Sequence, residues 1–136
     1  GNRSTHGATV GAGNVMREFA QVQSRVAEAA AAADTAKLLL HRDVREVEED
    51  LRNGQPITVA KRIRNRRDQA YATKLCVQGA TALFEGVGGA GLHLSSGIQR
   101  MWRDVHAVAR HVSLNWDAVS TMYGQQQFGM EPRGQY

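Results

Sequence analysis

Five histidines, one cysteine and a glycine-rich turn are the parts of this chain that could do chemistry: His6, His41, His93, His106, His111, Cys76 and Gly88-Gly89-Ala90-Gly91. His106 and His111 are five residues apart. On a helix that spacing places them about 140° apart, so they cannot hold one metal ion from one face. No histidine pairs with acids or cysteines at ligand spacing, and no metal site is expected. His111 differs from the others in its neighbours. At helical spacing it shares a face with Arg100, Asp104 and Ala107. Ala107 leaves room beside the ring, and His111 ends a predicted helix, where the partial negative charge favours a protonated imidazole. Such a ring can donate to an anionic or peroxide oxygen, or take a proton from a substrate hydroxyl. On spacing alone the commoner reading of each histidine is a surface residue.

The glycine turn precedes a helix and could bring backbone N–H groups close to a phosphate. No strand pattern stands before it, which excludes a Rossmann fingerprint, and such turns more often only end helices. Cys76 lies in an apolar pattern and reads as a core thiol. It is the only cysteine, so no disulfide forms within the chain and a reducing cytoplasm is the expected location. Lys61, Arg62, Arg64, Arg66 and Arg67 form a basic cluster. It could bind an anion, but a solvated or intersubunit face is the commoner role of such a run. Few aromatics stand near it, so no nucleic-acid partner is expected.

The elements that must position these residues are helices. Residues 1–14 hold glycines without periodicity and read as a loop. From Val15 to Leu51 apolar residues fall at steps of three and four, one stripe on a helix of about ten turns. Asn53-Gly54 and Pro56 mark its end. A second helix is predicted from near Pro56 to about Phe84, basic in its first half and apolar in its second. A third opens at Ser96, where Ser96 and Gln99 have capping-box spacing, with Ile98, Trp102, Val105, Ala109 and Val112 as its apolar stripe. A fourth opens at Asn115, with Leu114 and Val119 at staple positions, and ends near Gly124. Residues 125–136 read as a tail. The 136 residues are expected to form one all-α domain, an antiparallel bundle spanning 15–124. The formal charge of +4 and 42% apolar content are ordinary for a globular domain. No apolar run reaches membrane-span length, and no membrane partner is expected.

Three runs carry a resemblance: AEAAAAADTAKLLLHRD (27–43), RDQAYATKLCVQGATALFEGVGGAGL (67–92) and WRDVHAVARHVSLNWD (102–117). They resemble the C-terminal helical domain of the acyl-CoA dehydrogenase fold. The branch they resemble is that of two-component flavin-dependent monooxygenases, such as the oxygenase component of 4-hydroxyphenylacetate hydroxylase. The resemblance implies a bundle lacking its first helix, in a piece of a longer chain whose N-terminal helical and β-barrel domains are missing. This chain alone is not expected to work as an enzyme. The resemblance also implies reduced flavin, FMN or FAD, supplied by a separate reductase. The flavin reacts with oxygen to a C4a-hydroperoxide that hydroxylates an aromatic or similar small substrate. By resemblance Gly88 and Gly89 approach the flavin, Arg3 contacts it, and His111 is the catalytic residue beside it. Arg103-Asp104 matches a pattern of the dehydrogenases, but Val112 stands where a common class of them keeps its glutamate base. The alternatives are an acyl-CoA dehydrogenase with bound FAD and a non-catalytic oligomerisation module. Relatives assemble as tetramers, so a homo-oligomer is expected.

Overall fold

The computed structural model describes residues 18–136, so the loop assigned to 1–14, the start of the stripe at Val15, His6 and Arg3 lie outside the described residues. Four α-helices follow in order: α1 (Ala20–Arg52), α2 (Val59–Gly86), α3 (Gly97–Val108) and α4 (Trp116–Gln127). Two short 3-10 turns, Gly88–Leu92 and Val112–Leu114, flank α3. The described residues contain no strand. The expected all-α architecture is therefore the one observed.

Local chemistry sets the helix boundaries. α1 ends in a Schellman motif: Gln55 N donates to Asp50 O at 2.8 Å and Gly54 N to Leu51 O at 3.1 Å, with Gly54 at φ 65°. α2 begins at Val59 and not at Pro56, because Thr58 Oγ1 accepts from Lys61 N at 3.2 Å and so fixes the first turn. Ser96 does precede α3, but the capping box does not form. Its side chain makes no cap bond, and Gln99 Nε2 instead donates to Leu92 O at 3.3 Å. Asn115 caps α4 by accepting from Asp117 N at 3.0 Å and Ala118 N at 3.3 Å. α4 runs past Gly124 to Gln127, so the bundle extends into the expected tail.

The second helix is the hub, packing against α1, α3 and α4. Ala29, Ala36 and Asp43, seven residues apart, are the buried line of α1. Gly79 of α2 lets that line come close, since a Cβ there would meet Ala29 Cα at 3.3 Å. At the other end of α2, Ile63 and Ala70 pack with Val119 and Met122 of α4, flanked by Trp116 and Tyr123. No residue of α3 is fully buried, and Val112, expected in its stripe, is exposed. Cys76 is also exposed, not a core thiol, because it faces away from the small α2–α4 core.

The basic cluster is neither free nor wholly solvated. Lys61 pairs with Asp50, Arg64 with Glu46, and Arg67 Nη2 with Asp68 Oδ1 at 2.7 Å. Arg42 bridges the two buried carboxylates, Asp43 at 3.0 Å and Asp68. Arg67 also lies over Tyr123 at 4.3 Å, and Arg62 over Tyr136 at 5.8 Å. Burial pushes the Asp43 carboxyl up, although Arg42 and Arg64 pull the other way. The hydrogen bond from Arg64 holds Glu46 below its ordinary range. Arg42 is raised, chiefly by its hydrogen bond to Asp43.

Candidate functional site

The residues singled out in the sequence fall at the two ends of α3. Gly88 and Gly89 form the turn that enters it, and Gly88 adopts φ 60°, a left-handed conformation that suits glycine. Neither glycine has an atom within 4 Å of where a Cβ would stand, and both are exposed. The backbone there is open to a ligand. His111 lies beyond the other end. The α-helix stops at Val108, so His111 does not share a helical face with Asp104 and Ala107, nor does it end an α-helix. It is the N-cap of the second 3-10 turn, and its Nδ1 accepts from Ser113 N at 3.3 Å. That bond leaves Nε2 of an exposed ring as the group available to a ligand. The expectation of a protonated ring at a helix C-terminus therefore gives way to a capping imidazole. Twelve residues of α3 separate the two features. That helix, about 18 Å long at 1.5 Å per residue, lies between them in the chain.

The structure packs His106 against aromatic rings. It meets Trp102 in a tilted contact, centroids 4.3 Å apart and planes at 43°, and Trp102 stacks in turn on Phe84 at 5.2 Å. Trp102 Nε1 donates to Thr81 Oγ1 at 3.3 Å, and His106 Nε2 lies 3.3 Å from the same hydroxyl. His106 also lines an open cavity of about 390 Å³ between α2, α3 and the start of α4, with Lys74, Gln78, Arg110, Asn115 and Trp116 among its walls. Lys74 Nζ stands 5.2 Å from the Trp116 ring centre. The spacing Trp102–His106 is one helical turn and could have signalled the pair; nothing local signals Thr81, which comes from another helix. Among the described residues no cluster of His, Cys, Asp or Glu could hold a metal ion, and no helix is long and apolar enough to cross a membrane.

The arrangement is an all-α bundle with a glycine turn before its third helix and a histidine after it. Residues 2–116 match the family described as acyl-CoA dehydrogenase, C-terminal domain, and the chain belongs to it. Over 140 residues it is 45% identical to the oxygenase component of an FADH2-dependent resorcinol hydroxylase from Rhizobium sp. (strain MTP-10005), covering 100% of this chain and 34% of that protein. It is 36% identical over 114 residues to the flavin-dependent monooxygenase oxygenase subunit HsaA of Mycobacterium tuberculosis, covering 84% and 28% respectively. The crystal structure of 3-HSA hydroxylase from Rhodococcus sp. RHA1 superposes with a TM-score of 0.79 at 32% identity, covering 84% of this chain and 30% of that one. The chain thus spans about a third of the length of the relatives it matches.

Proposed function

We propose that this chain is the C-terminal helical part of the oxygenase component of a two-component monooxygenase. The intact protein would take reduced flavin from a separate reductase and hydroxylate a small aromatic substrate. The observation that carries the reading is the 45% identity to a resorcinol hydroxylase across the whole of this chain. That relative is FADH2-dependent, which favours FAD over FMN here. A cytoplasmic homotetramer is the assembly we infer, consistent with the single cysteine and the exposed apolar residues of α1.

The residues present fit a flavin. Gly88 and Gly89 offer an open backbone before the N-terminus of α3, and His111 offers Nε2 with its ring held by Ser113. We assign the glycines to cofactor contact and His111 to a hydrogen bond at the reacting end. Arg3 is proposed as a further flavin contact. When bound, the flavin supplies the oxygen-activating redox chemistry.

The competing reading is an acyl-CoA dehydrogenase. Val112 carries no base at the place where a common class of dehydrogenases keeps one, which favours the monooxygenase. The test uses the intact protein. Hydroxylation of a phenol that requires a flavin reductase, NADH and oxygen is expected. Acyl-CoA-dependent dye reduction with tightly retained FAD would overturn the reading. The 136-residue chain alone is expected to bind reduced flavin weakly, since most of the enclosing protein lies outside it.

A further inference from the structure

The cavity beside His106 contains neither His111 nor the glycine turn. Its hydrogen-bonding character follows from its walls. Indole N–H can only donate, so Thr81 Oγ1 accepts from Trp102. The hydroxyl proton of Thr81 has no other acceptor among the described residues than His106 Nε2. Assigned on that network, the chain of bonds runs from Trp102 through Thr81 to His106, with the ring proton of His106 on Nδ1. The carboxamide oxygen of Asn115 is spent on the α4 cap, which leaves its NH2 group as a donor. Arg110 makes no ion pair among the described residues, and Lys74 meets only the face of Trp116. Donors and two uncompensated cations therefore surround an aromatic and aliphatic wall. Asp117 at the rim is the single carboxylate lining the cavity.

We propose that this cavity is a binding site for a small aromatic acid, its ring against Trp116 and its carboxylate among Lys74, Arg110 and the donors of His106 and Asn115. The volume of about 390 Å³ suits a one- or two-ring compound. The proposal stands apart from the flavin reading, since it uses none of the same residues.

Benzoate and benzamide test it, because they share a ring and differ in charge. Each is titrated into the intact protein by calorimetry, with and without inorganic phosphate. Benzoate is expected to bind at least tenfold more tightly than benzamide. Lys74→Ala and Arg110→Ala are each expected to weaken benzoate about tenfold, the loss of one charge-assisted hydrogen bond. Both side chains are exposed, so their removal should leave the far-UV circular dichroism unchanged. Equal binding of benzoate and benzamide would overturn the proposal, as would unchanged affinity in both variants. Displacement of benzoate by phosphate at equal or lower concentration would also overturn it, by assigning the site to a phosphate group.

Discussion

Trp102 and His106 make a tilted ring contact one turn apart on α3, centroids 4.3 Å apart, and both rings meet the hydroxyl of Thr81 on α2. One side chain thus ties α3 to the hub helix and also sets which nitrogen of His106 carries the proton. Replacing Thr81 with Val keeps the shape and removes the hydroxyl. The indole N–H and the imidazole Nε2 then both lose their partner, at a cost of about 1–2 kcal/mol. The expected result is a melting temperature lower by several degrees. In the wild type, 15N shifts should report the Nδ1–H tautomer of His106; an Nε2–H tautomer would refute the bond order described.

The charge layer between α1 and α2 makes a prediction about pH. Glu46 is depressed by Arg64, so its stabilisation is present above its unfolded value, about 4.3, and is lost as pH falls through the folded value. Asp43 is raised by burial, so it opposes folding when ionised, and that penalty disappears as pH falls to its unfolded value, about 3.9. Glu46→Gln should therefore lower stability at pH 7, and the difference should shrink as pH falls below the unfolded value of about 4.3. Asp43→Asn should compare better with the wild type at pH 7 than at pH ~3.5. Chemical denaturation across that range measures both; parallel curves for all three proteins would contradict the assignment.

Asp68 is the more costly member of that layer to remove. It is 2% exposed and receives Arg42 on one oxygen and Arg67 on the other. Asp68→Ala takes from Arg67 its carboxylate partner and leaves Arg42 with Asp43 and Glu46, in a part-buried setting. A loss of about 2–3 kcal/mol is expected from urea titration, discounted for the partial exposure of both arginines. A loss below that of Asp43→Asn would mean that Asp43 and not Asp68 organises the arginines.

The helices, their order and the glycine turn were legible in the sequence, because apolar spacing and the pairs Asn53-Gly54 and Asn115-Asp117 are local signals. What a helix faces is not local. The apolar spacing from Val15 to Leu51 reads as one continuous stripe, yet among the described residues of α1 only Ala29, Ala36 and Asp43 are buried. Cys76 was read as buried from its apolar neighbours, which line an open groove between α1, α2 and α3. The acids of α1 that pair with Lys61 and Arg64 lie eleven and eighteen residues away in the chain, so that pairing could not be read from the cluster itself. His111 was placed on α3 because its spacing continues the helical period; the backbone leaves that period after Val108.

The uncovered face of α1 predicts assembly. Val26, Val44 and Leu51 share one face of α1 and are 53%, 56% and 63% exposed, too much apolar surface along one helix to leave in water. Burial of these side chains in helix–helix contacts between copies is expected to hold an oligomer together. Light scattering at micromolar concentration should give a mass above one chain. Val44→Glu with Leu51→Glu should shift it toward the monomer, and a monodisperse wild-type monomer would contradict the prediction.

His111 carries the proposed chemistry, and its place in the 3-10 turn complicates the obvious variant. His111→Ala removes both the free Nε2 and the cap that Nδ1 makes with Ser113 N. His111→Asn separates the two, because an asparagine oxygen can accept the same N–H as an Asx turn while lacking a group at the reach of Nε2. In the intact protein with its reductase, loss of one hydrogen bond to a developing charge in a dry site lowers the oxygen-transfer rate by about a hundredfold. Both variants are expected to release more hydrogen peroxide per substrate hydroxylated. Asn should keep the wild-type melting temperature, and Ala should lose about 1 kcal/mol with the cap. His106→Ala should change stability through Thr81 and Trp102 but leave the peroxide ratio near that of the wild type. Normal coupling in His111→Asn would restrict this histidine to shaping the turn.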